Sequence, residues 1–288
     1  MSDKLGITRF RNGEFRWGER TYVMGIVNVS PESFSGDGLA DVSDAVDQAK
    51  RMAEEGADIL DVGGESTKPG FKPISVEEEL RRVVPVVEEI SASVHVPVSV
   101  DTTKYEVGLQ ALRAGAALLN DQWGLKRDSR IGELAAEWRV PIILMSNQRD
   151  KGGFDASAQR DGSSYQDVLA EVLSSQRTSL ETALTIGVPE DNVILDPGIG
   201  FGKTWQQDIE IVRRLGEMKA LGRPILLGPS RKSLIKMVLS LPAGDRVEGT
   251  AVVVAIGIAN GADMVRVHDV KQMVRVCKMA DAIVRGVH

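Results

Sequence analysis

Apolar, β-branched runs alternate along the chain with stretches in which apolar residues recur every three or four positions, and short loops separate the two patterns. The runs fall at residues 22–29, 58–62, 96–100, 117–119, 141–145, 193–195, 224–227 and 264–267. The helical patterns that follow them cover 43–55, 76–92, 104–114, 131–138, 165–185, 206–220, paired stretches between 232 and 260, and 272–284. Strands alternating with helices imply parallel pairing with right-handed crossovers. Eight such units predict an α/β fold of the TIM (β/α)₈ barrel type. A doubly wound open sheet is the alternative, but it would concentrate ligand residues at one switch point. Ahead of these units, two short alternating runs flank Asn12-Gly13, which predicts a β-hairpin over about residues 7–18 capping the bottom of a barrel over about 21–286.

Composition adds limits. No linker or low-complexity stretch divides the 288 residues, so a single domain is expected over residues 1–288. The lone Cys277 permits no internal disulfide and no cysteine metal site, which fits a reducing cytoplasm. The charged N-terminus lacks a signal-peptide pattern. The most apolar run, 251–259, is shorter than the roughly 20 residues needed to span a bilayer, so a buried barrel helix is expected there and no membrane partner. A net charge of −6 without a basic block argues against nucleic acid, and an anionic substrate would need a local basic cluster.

In an eight-stranded barrel of this type chemistry sits at the C-terminal strand ends. Those ends carry Asn28, Asp61, Asp101, Asn120-Asp121, Ser146-Asn147-Gln148, Asp196, Ser230-Arg231-Lys232, and Arg266 with His268. Asp or Asn after a strand often only caps the next helix, and that is the expected role of Asp121, Ser43 and Thr102. Three groups have more to offer. Asp101, Asn120 and Asp196 lie in apolar strands and need partners there. Lys232 is one candidate, and the N–H edge of a planar heterocycle is another; an internal Asp–Lys network is the plainer reading. Arg266 and His268, two residues apart, share one side of the chain and with Ser230 could hold an anion near a helix start. The third group, Asp196-Pro-Gly-Ile-Gly-Phe-Gly-Lys203, has three alternate glycines that allow close approach to a ligand. Pro197 and Lys203 stand where nucleotide-binding fingerprints need glycine, so that chemistry is excluded.

These strings resemble the dihydropteroate synthases, pterin-binding TIM barrels, over nearly the whole chain. Met24-Gly-Ile-Val-Asn-Val-Ser-Pro-Glu-Ser-Phe-Ser35 is similar to the family's first signature loop and Asp58-Ile-Leu-Asp-Val-Gly-Gly-Glu-Ser-Thr-Lys-Pro69 to its second. Ser99-Val-Asp-Thr, Leu119-Asn-Asp, the Asp196 string, Ser230-Arg-Lys-Ser and Arg266-Val-His-Asp follow in the family's order. The resemblance implies a transferase of folate biosynthesis that condenses 6-hydroxymethyl-7,8-dihydropterin pyrophosphate with 4-aminobenzoate to give 7,8-dihydropteroate and pyrophosphate. It implies pterin binding by Asp101, Asn120, Asp196 and Lys232. Pyrophosphate would be bound by Asn28, Arg266 and His268, with Mg²⁺ at Asn28. Aminobenzoate would contact Thr67, Lys68, Phe201 and Ser230, and Phe34 and Ser35 would close over the site. Asp101, Lys232, Arg266 and His268 would carry the chemistry. The resemblance also implies a homodimer through the late helices and competition by sulfonamides.

The chain departs from the family pattern at several positions. Lys68 stands where Arg is usual, removing a bidentate fork. Ser30, Glu32 and Gly36 replace Thr, Asp and Asp, with Asp37 following; Ser146 replaces His, and Gln122-Trp123 replaces Val-Ser. Two other functions compete: a pterin-binding paralogue with weak or no synthase activity, and a methyltetrahydrofolate-dependent methyltransferase. The latter would not need the Ser-Arg-Lys and Arg-Val-His strings.

Overall fold

The computed structural model describes residues 5–11, 13–30, 41–67, 72–149 and 167–286. It opens with β1 (Ile7–Phe10) and β2 (Gly13–Arg16), paired antiparallel. The barrel strands are β3 (Tyr22–Asn28), β4 (Ile59–Gly63), β5 (Val98–Asp101), β6 (Leu118–Asp121), β7 (Ile142–Met145), β8 (Val193–Asp196), β9 (Leu226–Leu227) and β10 (Met264–Val267). The helices between and after them are α1 (Val42–Glu54), α2 (Val76–Ser93), α3 (Tyr105–Arg113), α4 (Arg130–Trp138), α5 (Val168–Ile186), α6 (Trp205–Arg213), α7 (Ser233–Leu239), α8 (Val247–Ala259) and α9 (Val270–Val284). Around the sheet the order is β8-β7-β6-β5-β4-β3-β10-β9. The seam between β8 and β9 closes through one parallel bridge, Leu195 to Ile225, and the Leu195 N–H donates to the Pro224 carbonyl at 2.9 Å. The expected (β/α)₈ barrel is the fold.

Two apolar clusters follow from the period-two alternation of the strands. Val23, Val27, Leu60, Val62, Val100 and Leu119 face outward into the layer shared with the helices. Met24, Ile59, Leu118, Ile143, Ile194, Leu226 and Met264 face inward and fill the lower barrel. Phe15 and Trp17 of the hairpin pack into this inner cluster beside Tyr22, with Phe15 and Tyr22 ring centroids 4.7 Å apart. The hairpin thus plugs the N-terminal end of the strands, as expected, and leaves the opposite mouth for the site.

Local chemistry moves several boundaries. Asp41, not Ser43, caps α1: its carboxylate accepts the Ser43 N–H at 2.9 Å. Helix α5 starts at Val168 because Asp167 accepts the N–H groups of Leu169 and Ala170; the expected start near 165 lies outside the described residues. The helix expected over 206–220 ends at Arg213 and continues as a 3₁₀ segment, Leu215–Leu221, stopped by Gly222 in the left-handed region. The apolar run 251–259 lies in α8 but is not buried all round: Val252 and Ile256 are 58% and 45% exposed. No helix among the described residues is long and apolar enough to cross a membrane.

Candidate active site

The inward-facing register positions nearest the C-terminal strand ends converge on one mouth. Asn28, Gly63, Asp101, Asn120, Met145, Asp196, Gly228 and Arg266 line a cavity of about 830 Å³, open mouth included, with Thr67, Phe201, Ser230, Lys232 and His268 on its walls. Every described residue carried over from the resemblance therefore borders this cavity. Lys68, Phe34 and Ser35 lie outside the described residues.

One guanidinium organises the floor. Arg266 Nε donates to Asp61 Oδ2 at 2.6 Å and its Nη2 to Asp101 Oδ2 at 3.0 Å. Asn120 Nδ2 donates to the same Asp61 oxygen at 2.9 Å. Gln122 donates to Asp101. Of the carboxylates for which Lys232 was one candidate partner, Asp101 is served by Arg266, while Lys232 faces Asp196 and its Nζ donates to the Ile199 carbonyl at 2.6 Å. Burial disfavours charge on Arg266, but Asp61 and Asp101 outweigh it and hold the guanidinium above its ordinary value.

Burial, reinforced by Asp61, pushes the Asp101 carboxyl up to about 8 against the pull of Arg266. Burial also raises Asp196, opposed by Lys232 and by the Gly198 N–H that donates to it at 2.7 Å. The same desolvation lowers Lys232 to about 8, opposed by Asp196. Asp101 and Lys232 thus sit close to changing charge near neutrality, as is common where a pocket must meet a charged ligand.

The glycine loop after β8 holds Phe201 against this floor. Gly198, Gly200 and Gly202 all have positive φ, and a Cβ at Gly198 would collide with the Ser146 carbonyl. Lys203 locks the loop from within: its Nζ donates to the carbonyls of Gly198 at 2.8 Å, Phe201 at 3.1 Å and Ser146 at 3.2 Å. At the last strand, His268 Nδ1 lies 2.9 Å from Ser230 Oγ, which also accepts the His268 N–H at 3.2 Å. Strands nine and ten are thereby joined at the mouth.

Asp121 points away from the cavity and accepts the N–H groups of Trp123 at 2.8 Å and Leu125 at 2.6 Å, so it fastens the turn after β6 rather than capping the next helix, whose N-cap is Ser129. Thr102, also expected as a cap, accepts the Lys104 N–H at 3.2 Å one residue ahead of α3, whose N-cap is Lys104 and carries no side-chain cap bond. Sequence reasoning noted Asp61 as a strand end but gave it no part in the site; its inward position, two residues before Gly63, was the available signal.

A profile of the pterin binding enzyme family matches residues 24–268. A dihydropteroate synthase of Clostridium beijerinckii is 47% identical over 274 residues, covering 94% of this chain and 97% of that one. Among solved structures, a dihydropteroate synthase from Clostridium difficile in the presence of pteroic acid superposes with a TM-score of 0.85 at 42% identity, covering 94% of this chain and 99% of that one. A Yersinia pestis dihydropteroate synthase in complex with a sulfonamide drug gives a TM-score of 0.90 at 35% identity, covering 98% of this chain and all (100%) of that one.

Proposed function

Since the chain belongs to the dihydropteroate synthases of the pterin-binding enzyme family, we propose that its barrel mouth joins 6-hydroxymethyl-7,8-dihydropterin pyrophosphate to 4-aminobenzoate, giving 7,8-dihydropteroate and pyrophosphate. The chain is a transferase, and the observation that carries the mechanism is the convergence of Asp101, Asn120, Asp196, Lys232, Arg266 and His268 on one cavity.

Asp196 accepts the paired N–H donors of the pterin edge, and Asn120 adds an amide that both donates and accepts. Its orientation is set by Asp61, which can only accept and so draws Nδ2 inward. Lys232 donates to ring acceptors. Departure of pyrophosphate leaves positive charge on the pterin methylene, which favours the ionised form of Asp101 and is stabilised by it. Arg266, whose Nε and Nη2 are held by the two carboxylates, keeps Nη1 for a phosphate oxygen, and His268 joins it across the mouth. The aryl amine attacks an already electrophilic carbon, so alignment against Phe201, Thr67 and Ser230 contributes more than a strong base. Excluding water protects the same carbon from hydrolysis.

The donor set is compatible with Mg²⁺. No group of three or more His, Cys, Asp or Glu side chains suited to a metal gathers among the described residues, whereas Asn28 brings an amide to the wall. An ion held mainly by pyrophosphate oxygens and water, with Asn28 as protein ligand, matches magnesium's habit. Bound there it supplies charge neutralisation for the departing pyrophosphate.

Two copies pair through the late helices in this reading. Helix α8 packs against α7 and α9, and the three leave Val238, Val252, Ile256, Met279 and Ile283 exposed, the last by 73%. The lone buried Cys277 is consistent with a cytoplasmic location.

The deciding experiment supplies the purified protein with Mg²⁺ and both substrates and follows dihydropteroate by chromatography, with calorimetry of pterin pyrophosphate binding alongside. Product formation is expected. Binding without product would mark a pterin-binding paralogue instead.

A further inference from the structure

Two cations approach the ring of Phe201. Lys232 Nζ, already part of the site, lies 4.7 Å from the centroid, and the Arg149 guanidinium lies 4.5 Å from it. Arg149 follows the polar run at the end of β7, and its side chain bridges two other loops. One nitrogen, Nη1, donates to the Thr67 carbonyl at 2.9 Å, and Nη2 donates to the Gly200 carbonyl at 3.4 Å. Thr67 belongs to the loop after β4 and Gly200 to the glycine loop after β8, next to Phe201. One side chain therefore joins the segments that bear two of the residues proposed to contact the aryl amine. Its own backbone is fixed as well: the Arg149 N–H donates to Asn147 Oδ1 at 3.1 Å, and Asn147 Nδ2 donates to the Gln122 carbonyl at 3.2 Å.

No carboxylate among the described residues pairs with Arg149, and the charged neighbour that acts on it is a second cation, Arg127; burial first and then Arg127 push its guanidinium down to about 10. A largely desolvated cation without a counter-ion is costly. A plain loop brace needs hydrogen-bond donors but not a charge. A ligand that brings its own negative charge offsets the cost, and 4-aminobenzoate carries a carboxylate opposite its nucleophilic amine.

We infer that Arg149 is the positioning residue of the aryl-amine subsite, holding the Thr67 and Gly200 backbones together at Phe201 and lending the subsite a positive charge that favours an anionic amine. The inference rests on the synthase reading above and adds to it the residue that sets the subsite's shape and charge. In a barrel whose second loop carries Lys68 rather than an arginine fork, it also assigns the guanidinium near this subsite to a different strand end.

The test compares the full-length protein with Arg149→Met, which loses bridge and charge, and Arg149→Lys, which keeps the charge and loses the fork. Three quantities are read: KM for 4-aminobenzoate beside kcat, Kd for pterin pyrophosphate with Mg²⁺ by calorimetry, and inhibition by uncharged sulfanilamide. In Arg149→Met the aminobenzoate KM should rise about tenfold or more, the effect of losing a charge-assisted contact, with pterin affinity unchanged and kcat altered less than KM. Sulfanilamide inhibition should weaken by a smaller factor than aminobenzoate binding, and Arg149→Lys should recover part of the KM. A wild-type KM in Arg149→Met, or equal losses for pterin and aminobenzoate, would overturn the inference and leave the synthase reading intact. Absence of dihydropteroate from the wild-type protein would instead overturn the reading on which it rests.

Discussion

Arg266 Nε donates to Asp61 Oδ2 at 2.6 Å, in the barrel interior where Asp61 has no exposed surface. The same oxygen receives Asn120 Nδ2, so one atom orients both a cation proposed to hold the leaving group and an amide proposed to hold the pterin. Asp61→Ala removes that shared acceptor and leaves Arg266 paired with Asp101 alone. Breaking a buried pair by deleting one partner costs about 3 kcal/mol or more, so urea unfolding should register a loss of that order. Calorimetry should show weaker binding of pterin pyrophosphate in the folded variant. Wild-type stability together with wild-type affinity would show that Asp61 organises neither group.

The carboxylate of Asp196, proposed to meet the pterin edge, has the Gly198 N–H and Lys232 as its other neighbours. Asp196→Asn keeps the shape but turns one acceptor toward the ring into a donor. A lost hydrogen bond to a charged group is worth about 1.5–3 kcal/mol, so pterin affinity should fall roughly ten- to a hundredfold while the fold persists. Titration calorimetry of the variant with pterin pyrophosphate measures this, and unchanged affinity would remove Asp196 from the pterin subsite.

Why some of this was legible in the sequence and some was not has a physical basis. Period-two alternation places Asn28, Asp101, Asn120, Asp196 and Arg266 on the inner face near the strand ends, and the linear pattern alone shows that. Pairings between strands are another matter. The Arg266–Asp61 bond spans 205 residues of sequence, and nothing local distinguishes Asp61 as its acceptor from Asp101 or Asp196. Arg149 was hidden for a related reason: it lies beyond the strand end, and its importance comes from Thr67 and Gly200, 82 and 51 residues away. Cap identity failed on a shorter scale. Asp41 and Ser43 are both good capping residues two positions apart, and the choice is made by which backbone N–H the Asp41 carboxylate reaches.

The late helices carry a prediction about assembly. Ile283 on α9 is 73% exposed and Val252 on α8 is 58% exposed, which suits a face covered by a second copy. Val252→Asp combined with Ile283→Glu places two charges on that face without touching the cavity. Light scattering at micromolar concentration should report a dimer for the wild type and a monomer for the double variant. A wild-type monomer would mean that the apolar face does not mediate self-association under those conditions.

Asp121 offers a test of burial against hydrogen bonding in setting a carboxyl's charge. Burial raises it from 3.8 to about 6, although the Leu125 and Trp123 N–H groups both pull the other way. Between those two values the folded chain holds a proton that the unfolded chain has released, so the contribution to stability is present in full below the unfolded value and is lost as pH rises through the folded one. At about 1.4 kcal/mol per pH unit, the rise from 3.8 to about 6 makes that loss about 3 kcal/mol. Asp121→Asn cannot titrate. Its own stability falls because an amide cannot accept from both N–H groups as a carboxylate does, but that fall does not vary with pH. Subtracting the variant's unfolding free energy from the wild type's at pH 4 and again at pH 7 isolates the titration from every other carboxylate in the chain. The difference should be larger at pH 4. If it is instead larger at pH 7, the two N–H bonds outweigh burial and Asp121 is ionised in the folded protein throughout.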